Sequence, residues 1–164
     1  LIDRTAAGVE MRYGDLESVL SAGHEEDDID TALEGFVGRL LYYAPGPTSI
    51  LLSRPEGASA AKRLHLFLRW MVRRDAVDPG GWSRVCPGEL QVPVDTHMLR
   101  IARSLGITGR NQADRRTRQE ITRFFKSIEP EDPVRYDFVL TRFGIRPGFL
   151  DEVVAEFGEN PYTP

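Results

Sequence analysis

The sequence predicts an all-α domain with at least five helices, on three observations. Apolar residues recur at helical spacing in several stretches, and no stretch keeps the alternation of a half-buried strand. Helix starts are marked by acidic caps next to prolines, at Pro93-Val94-Asp95 and at Asp132-Pro133. A chain of 164 residues with 41% hydrophobic and 28% charged content is also long enough, and apolar enough, to bury a core as one globular unit.

Taken in order, Asp15 caps a short helix that carries Leu16, Val19 and Leu20 and ends at Gly23. The acidic run from His24 to Asp30 crowds carboxylates around an imidazole and so raises a metal reading. It lacks the glycine and alternating ligands of a calcium loop and fits no zinc spacing, so Asp27 or Asp28 is read as the next cap and no metal is assigned. The helix that follows spans Ile29 to Tyr43, with Leu33, Phe36, Val37, Leu40 and Leu41 at helical spacing; Pro45 and Pro47 end it.

A second long helix is predicted from about Ala58 to Arg74, burying Leu64, Phe67, Leu68, Met71 and Val72. Opposite that stripe, Lys62, Leu66, Arg69 and Arg73 fall within about 60° of one another at 3.6 residues per turn. Leu66 and Trp70 among these cations mark a side contacted by another helix or by a ligand, since a solvated face would not need them. Turn formers dominate from Asp75 to Pro93. Trp82 is their anchor to the body, and Cys86, followed by Pro87 and Gly88, reads as an inert packing residue.

The most strongly patterned stretch is Val92 to Gly106, VPVDTHMLRIARSLG. Pro93 stiffens the approach, Asp95 can accept from the amides of His97 or Met98, and Met98, Ile101, Ala102 and Leu105 share one face before Gly106 stops the helix. A carboxylate held there by the positive end of a helix can steer a water or stabilise a developing cation; as a plain cap it does neither. His97 points away from Asp95 and reads as a packed helix-start side chain. Asn111 or Asp114 caps a further helix that ends before Pro130, with Ile121, Phe124, Phe125 and Ile128 on its core side and Arg115, Arg116, Arg118 and Arg123 outside. Asp132-Pro133 then opens a helix that buries Tyr136, Val139, Leu140 and Phe143 and is closed by Gly144, Ile145 and Pro147; a short helix from Phe149 to Phe157 leads to the tail.

The net charge of −4 conceals a segregation along the chain. Residues 1–34 hold ten acids against two bases and residues 129–164 eight against three, while residues 35–126 hold sixteen bases against seven acids. If the basic block folds onto one side it attracts a polyanion; as solvated helix faces balanced by the ends it does not. One cysteine builds neither a disulfide framework nor an iron–sulfur cluster within the chain. No signal peptide or membrane-length apolar run is visible, so a cytoplasmic protein without cofactor is expected.

The VDTH run with its helix resembles the D-x-H-x-x-R/H-I/V segment of the helix-hairpin-helix DNA glycosylases, where the aspartate is both cap and catalytic carboxylate. Together with KRLHLFLRWMVRRD and DPVRYDFVLTRFGI it is closer still to an uncharacterised, mostly bacterial family of unknown function usually placed in that superfamily. The resemblance implies a glycosylase-like core over residues 36–145 within one domain spanning 1–164. Because the sequence opens at Leu1 rather than Met, some N-terminal helices are expected to be absent from this stretch. The segment Ser49 to Leu64 occupies the place of the hairpin, but with only Gly57 and a longer spacing, so the helix-hairpin-helix region is degenerate.

By the same resemblance Asp95 is the catalytic carboxylate and Lys62 the amine that would attack a sugar; the residue pattern alone reads Lys62 as a first-turn surface lysine. Trp70, His97, Tyr136 and Asp137 would line the site, and Arg69, Arg73, Arg100, Arg115 and Arg116 would hold phosphates of DNA or another nucleic acid. Two rival readings remain open: a non-catalytic nucleic-acid or nucleotide binding module, and a helical protein-interaction domain whose acidic N-terminus docks a basic partner.

Overall fold

Helix caps and buried apolar stripes account for most of the elements in the computed structural model, which describes residues 15–22, 29–43, 59–145 and 148. Among these residues every regular element is helical; the only extended pairings are two isolated bridges, Ser59 with Asp114 and Arg74 with Pro79. Helix α1, Leu16–Ser21, starts where Asp15 accepts the Ser18 amide at 2.7 Å. Its buried Val19 and Leu20 pack on α2, Ile29–Tyr43, which has the bounds the sequence predicts. Helix α3 is Lys62–Val72, α4 Thr96–Ser104, α5 Arg115–Ile128 and α6 Asp137–Ile145. No described helix is long and apolar enough to cross a membrane, and no described group of His, Cys, Asp and Glu could hold a metal ion.

Helix α3 begins later than the sequence suggests because Ala61 takes a left-handed backbone, φ 47° and ψ 37°, which a continuing right-handed helix cannot include. It ends at Val72, where Arg73 turns extended. The Asp75 carboxylate accepts the amides of Val77 and Asp78 and so shapes the turn that follows. Gly80 and Trp82 donate to the Trp70 and Met71 carbonyls and lay the loop back on the helix. As expected, Trp82 anchors it, edge-on to Phe67 and Phe36 at centroid distances of 5.6 and 6.5 Å.

From Leu90 to Val94 the chain runs extended with Leu90, Val92 and Val94 buried, and Thr122 of α5 accepts the Val92 amide at 3.0 Å. This fixes the approach to α4, which packs against α6. Helix α5 is capped by Asp114, whose carboxylate accepts the Thr117 amide at 2.9 Å.

Five expectations are corrected. Arg118, read as an outward residue of α5, is fully enclosed: it donates to Asp30 at 2.6 Å, to Gln91 at 2.7 Å and to the Ala60 carbonyl at 2.8 Å, so three acceptors replace the water it loses. Arg69, placed with the cations opposite the buried stripe, is itself buried. Ile128, read as core, is 55% exposed at the end of α5. Cys86 is exposed, because Glu89 draws its amide into a 3-10 turn over Pro87–Glu89 at the surface.

The fifth correction concerns α6. Its start shifts from Pro133 to Asp137 because the Asp132 carboxylate is taken by Arg73 and residues 133–136 form turns. The stripe therefore rotates: Tyr136 and Val139 are exposed, while Val134 and Asp137 are buried and Leu140 packs on the core. The readings made on Gly23 to Asp28, on Pro45 to Ala58, on the side chains of Phe143 to Ile145 and on the last short helix lie outside the described residues.

Candidate active site

Two helix starts meet. Lys62 is the first residue of α3 and Asp95 caps α4, and Lys62 Nζ lies 2.6 Å from Asp95 Oδ2. An ammonium in the first turn of a helix stands at the unfavourable end of the dipole, and the Asp95 carboxylate compensates it. Asp95 keeps its capping role with the other oxygen, Oδ1, which accepts from His97 at 2.9 Å and Met98 at 2.8 Å. Partial burial pulls its pKa upward, but Lys62 and these two amides outweigh the burial and hold the carboxyl below its ordinary range. Asp95 is therefore an anion at neutral pH, aimed by the helix start.

Beside this pair opens a cleft of about 430 Å³. Lys62, Leu66, Trp70, Pro93 and Val77 line it, as do Arg69, Asp137, Phe138 and Thr141. The walls are mainly apolar with few polar groups, the composition of small-molecule and base pockets. Trp70 is 42% exposed and Phe138 36% exposed, so aromatic surface is open to an occupant. Lys62 is more open than Asp95, with side-chain exposures of 39% and 20%.

Asp137 contrasts with Asp95. Burial pushes its carboxyl upward more than Arg69 and Thr141 pull it down, and the Asp95 charge adds to the rise. Its Oδ2 accepts from Arg69 in a short contact, and Oδ1 accepts from the Thr141 hydroxyl at 3.3 Å. Arg69 in turn donates to both oxygens of Asp78, at 2.9 to 3.2 Å. Arg73 continues the ladder by donating to Asp78, from Nε to both oxygens of Asp132, and to Asp75. Two arginines and four aspartates are thus linked in one network, of which Arg69 and Asp137 line the cleft.

Of the residues singled out in the sequence, Lys62, Arg69, Trp70 and Asp137 line the cleft, and Asp95 adjoins it through its contact with Lys62. His97 contributes its backbone amide to Asp95, and Tyr136 is exposed against Phe125, at a centroid distance of 6.2 Å; neither lines the cleft. Arg69 and Arg73 are engaged by aspartates within the protein, and Arg115 donates to the buried Asp30 at 3.2 Å. Arg100 and Arg116 are exposed. Asp78 and Thr141 were not singled out. Thr141 stands four residues after Asp137, the helical spacing that brings such side chains together, whereas Asp78 is marked only by the turn residues around it.

Over residues 3–146 the chain matches the model of the family described as protein of unknown function, DUF2400. The chain belongs to this family. No curated protein and no solved structure matches it. The family's description carries no activity.

Proposed function

We propose that the chain breaks an N-glycosidic bond in nucleic acid, with Asp95 and Lys62 as the reacting pair. The observation that carries this reading is the 2.6 Å contact between an anionic cap and a half-exposed lysine at the edge of a mainly apolar cleft. The resemblance of the VDTH run and its helix to the helix-hairpin-helix DNA glycosylases points the same way. A base turned out of its stack occupies the cleft, and as the C1′–N bond breaks the bonding pair leaves with the base. Asp95 offsets the positive charge that develops on the sugar.

Two completions are chemically balanced. In the hydrolytic one, water attacks C1′ and gives its proton to Asp95. In the covalent one, the Lys62 ammonium gives a proton to Asp95 Oδ2 across their contact, the freed lone pair forms the bond to C1′, and the base departs with the old bonding pair and takes up the proton that the attached nitrogen then loses; the C1′–O4′ bond next opens, O4′ takes the proton from Asp95, and the nitrogen lone pair forms the iminium that borohydride reduces. Phosphates are held by exposed arginines of the basic block, Arg100 and Arg116 first among those named from the sequence.

A second reading, a binding module that keeps the scaffold without the reaction, is favoured by the matched charges of Lys62 and Asp95 and by the internal pairing of Arg69, Arg73 and Arg115. Incubation with oligonucleotides carrying a panel of damaged bases, with borohydride added, decides between them. The enzymatic reading expects base release that Asp95→Asn abolishes, and, on the covalent route, an adduct that Lys62→Ala removes. Nucleic-acid binding with no release or adduct for any base leaves the binding module.

A further inference from the structure

The cleft beside the Lys62–Asp95 pair has a chemistry of its own. Trp70 and Phe138 offer partly exposed aromatic surface, and Arg142 lies 5.5 Å over the Phe138 ring. Between apolar walls stands one acceptor-only group, the Asp137 carboxylate, with the Thr141 hydroxyl next to it. An ionised carboxylate has about four lone-pair sites, and Arg69 and Thr141 occupy two of them. Sites remain for a donor brought in by an occupant. The ladder through Arg69 and Asp78 to Arg73 fixes the carboxylate in place, so it cannot turn away from an occupant that brings no donor.

We infer that Asp137 is the specificity-determining residue of this cleft, selecting a planar base that presents an exocyclic amino group over the same ring carrying a carbonyl oxygen there. The inference rests on the reading of the cleft as a nucleobase pocket and deepens it. An amino group donates to the carboxylate; a carbonyl at the same position sets two acceptors against each other and leaves a buried charge facing a lone pair. Stacking on Trp70 supplies affinity without distinguishing bases, which leaves selection to Asp137.

The test uses binding rather than turnover. Trp70 is open and Trp82 is packed between Phe36 and Phe67, so a base stacked on Trp70 quenches one of the two tryptophans. The full chain is titrated with duplex oligonucleotides in which the test base faces an abasic site, in isosteric pairs: adenine against hypoxanthine, and cytosine against uracil. Amino-bearing bases should quench at concentrations about ten-fold lower than their oxo partners, the order expected for one charge-assisted hydrogen bond. In Asp137→Asn that ratio should fall to about one, and Trp70→Phe should lose the quenching.

Equal quenching within both pairs, or none with any base, overturns the inference. The wild-type comparison decides this even if Asp137→Asn fails to fold. Selectivity without base release would sink only the enzymatic proposal, and base release without selectivity would sink only the role of Asp137.

Discussion

Two of the carboxylate–cation centres among the described residues differ mainly in their access to solvent. At the cleft, Lys62 and Asp95 are partly exposed and both stand at helix starts. Between α2, α3 and α5, Asp30 accepts from Arg118 with both side chains essentially enclosed, and His65 Nε2 lies 3.5 Å from the other Asp30 oxygen. The closed centre ties α2 to α5, which are distant in sequence, through Asp30 Oδ2, which accepts from Arg118 and Arg115, while Asp30 Oδ1 and both His65 ring nitrogens are buried without a hydrogen-bond partner. The open centre leaves a lysine at the edge of space that an occupant can enter. A carboxylate–cation contact thus serves cohesion in one place and stays accessible in the other.

Breaking the closed centre should give the largest effect. Arg118→Met leaves Asp30 buried without its main partner and should cost about 3–5 kcal/mol in urea unfolding. A near-neutral result would mean that water reaches Asp30 and that the two centres are not different in kind. The next effect is one of pH. Burial, then the Arg118 charge, hold His65 well below its ordinary 6.5, so the folded state keeps it neutral. The unfolded chain takes up that proton as pH falls below 6.5, so folding stability should fall by about 1.4 kcal/mol per pH unit until the folded pKa is reached. His65→Gln should remove that slope; its persistence would assign the slope to other groups.

The open centre should respond more weakly. Asp95→Ala removes a cap and should cost about 1 kcal/mol, whereas Asp95→Asn, which can still cap, should cost only a few tenths while abolishing any base release. Because the Asp95 pKa is depressed, its contribution is present above its ordinary 3.8 and lost as pH falls through the folded value, a window below that of His65. Lys62→Met should be smallest, within about 0.5 kcal/mol, since a pair this exposed is screened by solvent. A loss of several kcal/mol there would make the lysine a structural strut.

Legibility in the sequence followed the range of the interactions. Asp15, Asp95 and Asp114 cap amides two or three residues away, and α2 carries a sustained apolar period, so these were readable. Arg118 and Arg69 were not. A charged residue read against an apolar period is assigned outward, and the partners that bring these two inside, Asp30 and Asp137, lie 88 and 68 positions away. The start of α6 failed for a related reason: Asp132 has the local signature of a cap, but its carboxylate is engaged by Arg73 from another element. At the cleft, the resemblance brought forward Lys62 and Asp95 and helical spacing brought out Trp70, whereas Phe138, Val77 and Pro79 join only through the tertiary arrangement.

Ala61 carries a further consequence. A methyl-bearing residue in a left-handed conformation costs about 1–2 kcal/mol, and this one is wholly enclosed, so glycine would relax the backbone only by opening a void. The bearing of the following residue is thereby set in the main chain and does not depend on a side-chain torsion. The Cα–Cβ bond of Lys62 therefore leaves the joint in a fixed direction, and the torsions beyond it are restrained only by the contact with Asp95.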